Sequence, residues 1–258
     1  MTSHREYLTN ANGDRIAVIL ERPTEPISMY AVFCHCFTCS KDLKAIVKIS
    51  RNLAKRGIGV VRFDFTGLGD SGGDFSETNF ETNLADLIAV AQWTEQNFAA
   101  PSMLMGLSLG GAAAMVAAQQ LPSVQGVVTL AAPSCTRHLA EFLISQNPTI
   151  EIEGEGHVTI GGRRHLIRTQ LIDSLRQRDL ESEIAELTKH HLIFHSPVDE
   201  TLGFYHAEKI FRLSRGIKLF VTLDGADHLM MNQPADIDFI THQILLWSSR
   251  WQQVDGAS

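Results

Sequence analysis

Gly106-Leu107-Ser108-Leu109-Gly110 has the residue types and spacing that turn a serine into a nucleophile. An apolar run at 101–105 leads into it and a small-residue segment at 111–120 leads out, the pattern of a strand, a sharp turn and a helix. Flanking residues without large side chains let the backbone bend tightly, so the hydroxyl stands exposed at the carboxyl end of the strand. Ser108 is therefore the candidate nucleophile.

A serine hydroxyl attacks poorly near neutral pH. It needs a base within hydrogen-bond reach and an acid that fixes the tautomer of that base. His228, in Leu223-Asp224-Gly225-Ala226-Asp227-His228, follows the last apolar run on a glycine-containing loop, where an imidazole can swing over the turn. Asp199, in His195-Ser196-Pro197-Val198-Asp199, follows the preceding run. With 11 histidines in the chain, position decides among them. His138, His157 and His165 lie outside the regular strand spacing, and His190, His191 and His206 fall at element boundaries, where solvated or capping roles are expected. Asp227 adjoins His228, so their side chains should diverge, and Asp224 would have to fold back across Gly225; both are expected to keep the loop solvated. The tetrahedral intermediate of acyl transfer also needs amide donors, each worth about 3 kcal/mol. Leu109 supplies one at the helix start, and Phe37, after the 30–35 run, supplies the second.

These groups need a scaffold that brings distant strand ends together. Short apolar runs at 30–35, 58–63, 102–105, 124–130, 192–195 and 217–223 read as buried parallel strands. Helical patterns at 41–56, 79–98, 110–120, 201–214 and 234–251 alternate with them. Such alternation implies an α/β fold, a mostly parallel sheet with helices on both faces and ligand sites beyond the carboxyl ends of the strands. Residues 5–20 read as a hairpin turning at Asn12-Gly13. The chain reads as one domain, 1–258, with an insertion over 133–189 that either caps the site or elaborates the surface. Within it, 152–162 suggests a hairpin, followed by a polar helical stretch.

Composition narrows the function classes. A net charge of -7 with no basic run argues against nucleic acid and anionic membranes as partners. Residues 96–136 carry no charge, yet Pro101, Pro122, Pro133 and the glycines divide them into strand, helix and strand rather than a membrane span. No secretory signal is visible at the start, so a cytoplasmic location is the default expectation. Trp247 and Trp251, at helical spacing, are expected to pack against the core. The glycine-rich stretch 64–73 lacks both the helix-opening dinucleotide fingerprint and the Gly-Lys-Ser/Thr ending of an ATP loop. Asp64 and Ser71 are instead expected to hold a tight loop, and no cofactor is implied.

The 4 cysteines are Cys34, Cys36, Cys39 and Cys135. A structural zinc site usually draws on two separated clusters and a disulfide framework suits small secreted domains, so free thiols near the candidate site are expected and no metal is. A thiol or redox function of Cys34, Cys36 and Cys39 is one alternative to hydrolysis. A non-catalytic binding scaffold is another.

From Tyr30 to the last helix the chain resembles the α/β-hydrolase superfamily. Three stretches, His35-Cys36-Phe37-Thr38-Cys39-Ser40-Lys41-Asp42, Arg62-Phe63-Asp64-Phe65-Thr66-Gly67-Leu68-Gly69 and His195-Ser196-Pro197-Val198-Asp199-Glu200-Thr201, are similar to the hydrolase half of bifunctional hydrolase-OsmC proteins. The chain stops soon after Trp251, so a peroxide-reducing role is not carried over. The resemblance implies a serine-hydrolase core, with Ser108, Asp199 and His228 as the triad and the Phe37 and Leu109 amides as oxyanion donors; the expected activity is cofactor-independent cleavage of a carboxylic ester, or else an amide or thioester, of a small-molecule acyl substrate through an acyl-Ser108 intermediate. Leu107 stands where the superfamily often has His, and Cys36 where it often has Gly. The latter puts a Cβ in the oxyanion loop. Oligomeric state stays open.

Overall fold

The computed structural model describes residues 1–24 and 26–252, excluding the side chains of 251 and 252. The packing expected of Trp251 therefore lies outside the described residues, whereas Trp247 is buried in the core. The chain opens with a hairpin of β1 (Thr2–Thr9) and β2 (Arg15–Arg22), reversing where Gly13 takes a φ of 87°. Then follow β3 (Met29–Cys34), α1 (Lys44–Ala54), β4 (Ile58–Phe63), α2 (Phe80–Asn97), β5 (Met103–Leu107), α3 (Leu109–Gln120) and β6 (Gly126–Leu130). After β6 come α4 (Arg137–Gln146), α5 (Thr149–Glu153), a hairpin of β7 (Glu155–Ile160) and β8 (Arg163–Arg168), α6 (Thr169–Gln177) and α7 (Leu180–Glu186). The chain closes through β9 (His190–His195), α8 (Tyr205–Leu213), β10 (Lys218–Thr222) and α9 (Pro234–Gln252).

The main sheet has 8 strands in the order β1-β2-β4-β3-β5-β6-β9-β10. From β4 to β10 every pairing is parallel, and β2 joins β4 antiparallel. The apolar runs are continuous because both faces are covered, and strand geometry divides them between two cores. Val32 and Cys34 face α2, α3 and α8; Ala31 and Phe33 face α1 and α9. Val61 and Val60, then Val127 and Val128, repeat that alternation on neighbouring strands. Leu143, Ile150, Val158, Ile167, Leu175 and Ile184, from the segment between β6 and β9, join the core of α2 and α3.

Order in the sheet positions the site. β3 is followed in sequence by its neighbour on one side, β4, and pairs on the other side with β5, Cys34 lying opposite Gly106. The loops leaving β3 and β5 therefore diverge at the reversal of strand order, where an open α/β sheet forms its ligand crevice. Residues 35–43 and Ser108 emerge there together.

Two histidines placed at element boundaries by sequence are buried rather than solvated. His191 lies on β9, between β6 and β10 in the sheet, with Nε2 3.0 Å from Thr129 Oγ1, and its Nδ1 has no partner among the described residues. Burial, aided by the nearby Lys218 charge, lowers its pKa to about 3. His206 is also buried, with Nδ1 accepting from the Ser134 amide at 3.1 Å. Neighbouring strands and helices cover these rings, a tertiary effect that local sequence does not carry.

Because the unfolded chain protonates His191 near pH 6.5 and the folded protein resists until about 3, its stabilising contribution is complete above 6.5 and is lost as pH falls toward 3. Urea unfolding should therefore give a free energy at pH 5 lowered by roughly 2 kcal/mol, relative to pH 7.5, through this residue alone. In His191→Val the drop should shrink by that amount; an unchanged drop contradicts the assignment.

Candidate active site

Ser108 sits between β5 and α3 with φ 54° and ψ -124°, a backbone region that side chains other than glycine rarely occupy. Its own amide donates to Leu130 O at 2.8 Å, and its carbonyl accepts from Gly111 at 2.8 Å and Ala112 at 3.3 Å. The glycines of the motif make the bend possible. A Cβ on Gly106 would lie 2.2 Å from Gly110 O, and one on Gly110 would lie 2.4 Å from His35 O and 2.7 Å from Cys34 O. The start of α3 thus presses on the end of β3.

His228 reaches this turn from the loop between β10 and α9. Its Nε2 stands 3.0 Å from Ser108 Oγ and its Nδ1 stands 2.8 Å from Asp199 Oδ2. With the carboxylate accepting, Nδ1 carries the proton and Nε2 is free to accept from the hydroxyl. The other acids go elsewhere. Asp227 Oδ1 accepts the Met231 and Asn232 amides, holding the loop's turn rather than solvating it.

Asp199 leaves β9 with its side chain fully buried. Burial alone pushes the carboxyl up, but His195, His228 and the Leu202 amide outweigh it and hold the group well below the usual carboxylate range. Oδ1 accepts the amides of Thr201 at 2.8 Å and Leu202 at 2.9 Å, which delays the helix expected from 201 until Tyr205. Oδ2 also lies 3.5 Å from His195 Nε2, whose 2.8 Å partner is Leu202 O. Sequence reasoning passed over His195, although it begins the quoted stretch containing Asp199.

The loop after β3 supplies the opposite wall. Phe37, Leu109, Gly110, Cys36 and His35 are among the residues lining one small cavity of ≈ 10 Å³, about the room one water molecule needs. Among the described residues neither the Phe37 nor the Leu109 amide donates a hydrogen bond. His35 orients the first of them. Its Nε2 accepts from the Phe65 amide at 3.2 Å, so the proton sits on Nδ1, 2.7 Å from Cys36 O. In a trans peptide the C=O and the following N–H point in opposite directions, so holding Cys36 O fixes the outward aim of Phe37 N–H. Burial lowers the pKa of His35, which keeps this tautomer neutral.

Farther along, Asp64 closes the loop after β4 onto the same segment. It accepts from the Lys41 amide and the Asp70 amide, and its Oδ2 pairs with Lys41 Nζ at 2.7 Å. Ser71 donates to Asp64 O, as the tight-loop reading anticipates. Lys41 Nζ is fully buried between Asp64 and Asp70, a partner that sequence reasoning missed because 23 residues separate the pair.

The expectation of free thiols fails at two positions: Cys36 and Cys39 are joined in a disulfide. A turn brings them together, with Cys39 N donating to Cys36 O at 3.1 Å and the Cα atoms 5.3 Å apart. Cys34 is a free, buried thiol whose pKa burial raises steeply, and Cys135 is free and half-buried. Among the described residues no group of His, Cys, Asp or Glu is arranged to hold a metal ion, and no helix is long and apolar enough to cross a membrane.

An 8-stranded, mostly parallel sheet with a positive-φ serine at the end of β5 and a histidine bridging it to a buried carboxylate defines a hydrolase-type α/β architecture. Residues 32–155 match the family described as serine aminopeptidase, S33. The esterase domain of a Rhodothermus marinus protein is 35% identical, with 97% of this chain and 99% of that chain covered and a TM-score of 0.77. Est1E from Butyrivibrio proteoclasticus, solved with ferulic acid bound, is 19% identical over 97% of this chain and 99% of that chain, with a TM-score of 0.82. No curated protein matches. This chain belongs to the α/β-hydrolase superfamily.

The contact between the Ser108 turn, a nucleophile elbow in shape, and β3 bears on stability. Gly110→Ala should lose about 3 kcal/mol or more of unfolding free energy in urea, because the new methyl meets backbone oxygens that cannot move aside. A loss under about 1 kcal/mol would mean that the turn has room to spare.

Proposed function

We propose that the protein is a serine hydrolase that cleaves carboxylic esters of small molecules through an acyl-Ser108 intermediate. The observation that carries this reading is the single imidazole of His228, 3.0 Å from the Ser108 hydroxyl on one side and 2.8 Å from the Asp199 carboxylate on the other. Similarity to the Rhodothermus marinus esterase domain supports it. The narrower likeness to the hydrolase half of hydrolase-OsmC proteins belongs to the same proposal.

In acylation, His228 Nε2 takes the Ser108 proton as Oγ attacks the ester carbonyl, and Asp199 stabilises the imidazolium without itself taking a proton. The oxyanion forms between the Leu109 and Phe37 amides, donors that need no rearrangement when the charge develops. His228 then gives its proton to the departing alkoxide. In deacylation the same imidazole activates water, the tetrahedral intermediate forms again, and collapse frees the acid and the serine.

Ser108→Ala and His228→Ala should each lower kcat for a short p-nitrophenyl ester by at least about 10³-fold with little change in KM. Parent-like turnover by Ser108→Ala would end the proposal. Since the environment of Asp199 keeps it ionised, the carboxylate should add no step to the acid limb of kcat/KM, which should have unit slope on a logarithmic plot. A two-proton limb would show that the carboxylate titrates as well.

A further inference from the structure

The disulfide between Cys36 and Cys39 encloses only Phe37 and Thr38, so it brackets the amide assigned above to the oxyanion. The four residues form a β-turn in which Cys39 N donates to Cys36 O. Its third residue, Thr38, has a φ of 55°. Glycine or asparagine normally fills such a position, and a β-branched side chain there is costly. The turn therefore needs outside restraint. His35 holds one carbonyl by a hydrogen bond, and the disulfide ties the first residue of the turn to the last.

The bond is also asymmetric in its access. Cys36 is buried, at 4% exposure, while Cys39 is half-buried, the more accessible of the two. Cys34 is buried and its thiol stays protonated, so it is a poor nucleophile for internal exchange.

We propose that the Cys36–Cys39 disulfide is a redox-controlled brace of the oxyanion loop: closed, it holds the Phe37 amide in its donor orientation, and opened by a dithiol, it lets the turn relax and acyl transfer slow. One thiolate of the dithiol attacks the Cys39 sulfur, forming a mixed disulfide and expelling Cys36 as thiolate. The second thiolate of the reductant then attacks its own sulfur in that mixed disulfide and releases Cys39. Two electrons and two protons pass to the protein, and the dithiol leaves as its cyclic disulfide. A small-molecule disulfide reverses the exchange. This regulation rests on the reading of Ser108 as nucleophile and Phe37 N–H as oxyanion donor.

The test measures p-nitrophenyl ester hydrolysis by the whole 258-residue chain, air-oxidised, after equilibration with dithiothreitol, and after reoxidation with oxidised glutathione. Thiol counting verifies each state, and far-ultraviolet circular dichroism monitors the fold. The expected result is a gain of two titratable thiols, an unchanged spectrum, a kcat at least about 10-fold lower at similar KM, and recovery on reoxidation, since loss of an oxyanion donor costs on the order of 10²–10³-fold. Cys39→Ser should have the reduced protein's low kcat and ignore dithiothreitol. Equal kcat in the two verified states overturns the proposal alone. Loss of activity accompanied by loss of the helical spectrum overturns it too, since the disulfide would then hold the fold and not the loop. Oxidised protein inert toward every ester tried overturns the functional reading and the switch with it.

Discussion

The close contact between the elbow and the end of β3 governs the rest of the site. Gly110 rides against the carbonyls of Cys34 and His35, and Gly106 against the first turn of α3, so no side chain fits at either position. This forces Ser108 into a backbone conformation with φ 54°, and the Leu109 amide, at the helix start, donates no hydrogen bond among the described residues. It also fixes the distance between that amide and the loop leaving β3. A strained turn persists only where its surroundings over-determine it, and here the parallel pairing of β3 with β5 does so.

Electrostatics complete what the backbone begins. A buried carboxylate is unfavourable unless hydrogen bonds replace water, and Asp199 receives two amides and faces two imidazoles. The charge so preserved selects the tautomer of His228 that can accept from Ser108. A second set acts on the opposite wall, where buried Lys41 is gripped by buried Asp64 and by the more exposed Asp70. Burial alone would lower the lysine's pKa, but those hydrogen bonds raise it, so the cation endures and ties the loop after β3 to the loop after β4. His35, between them, holds Cys36 O and Phe65 N. The Phe37 amide is thus oriented by a packed network rather than by its own side chain.

Much of this was legible because the signals are local. The apolar run 58–63 coincides with β4, and the small residues around Ser108 announce the tight turn. The helical patterns that begin at 41 and 201 overrun the helices, because Asp64 and Asp199 capture the amides of Lys41, Thr201 and Leu202. Neither α4 nor α5 carried a readable signal: α4 buries only Ala140 and Leu143, too few for a clear periodicity. The Cys-x-x-Cys spacing is compatible with thiols, metal or a disulfide, and only the turn geometry at Thr38 decides among them. Burial of His191 and His206 depends on strands and helices brought from far along the chain, which periodicity cannot report.

The central claim is that residues 108, 199 and 228 work as one proton-relaying unit whose product is an activated serine oxygen. Reaction with a fluorophosphonate, followed by intact-mass measurement and peptide mapping, interrogates that oxygen without any choice of ester. The account predicts one adduct per chain, on Ser108, and almost none on the His228→Ala protein under the same conditions. An unmodified parent protein, or an adduct on another residue, would contradict it.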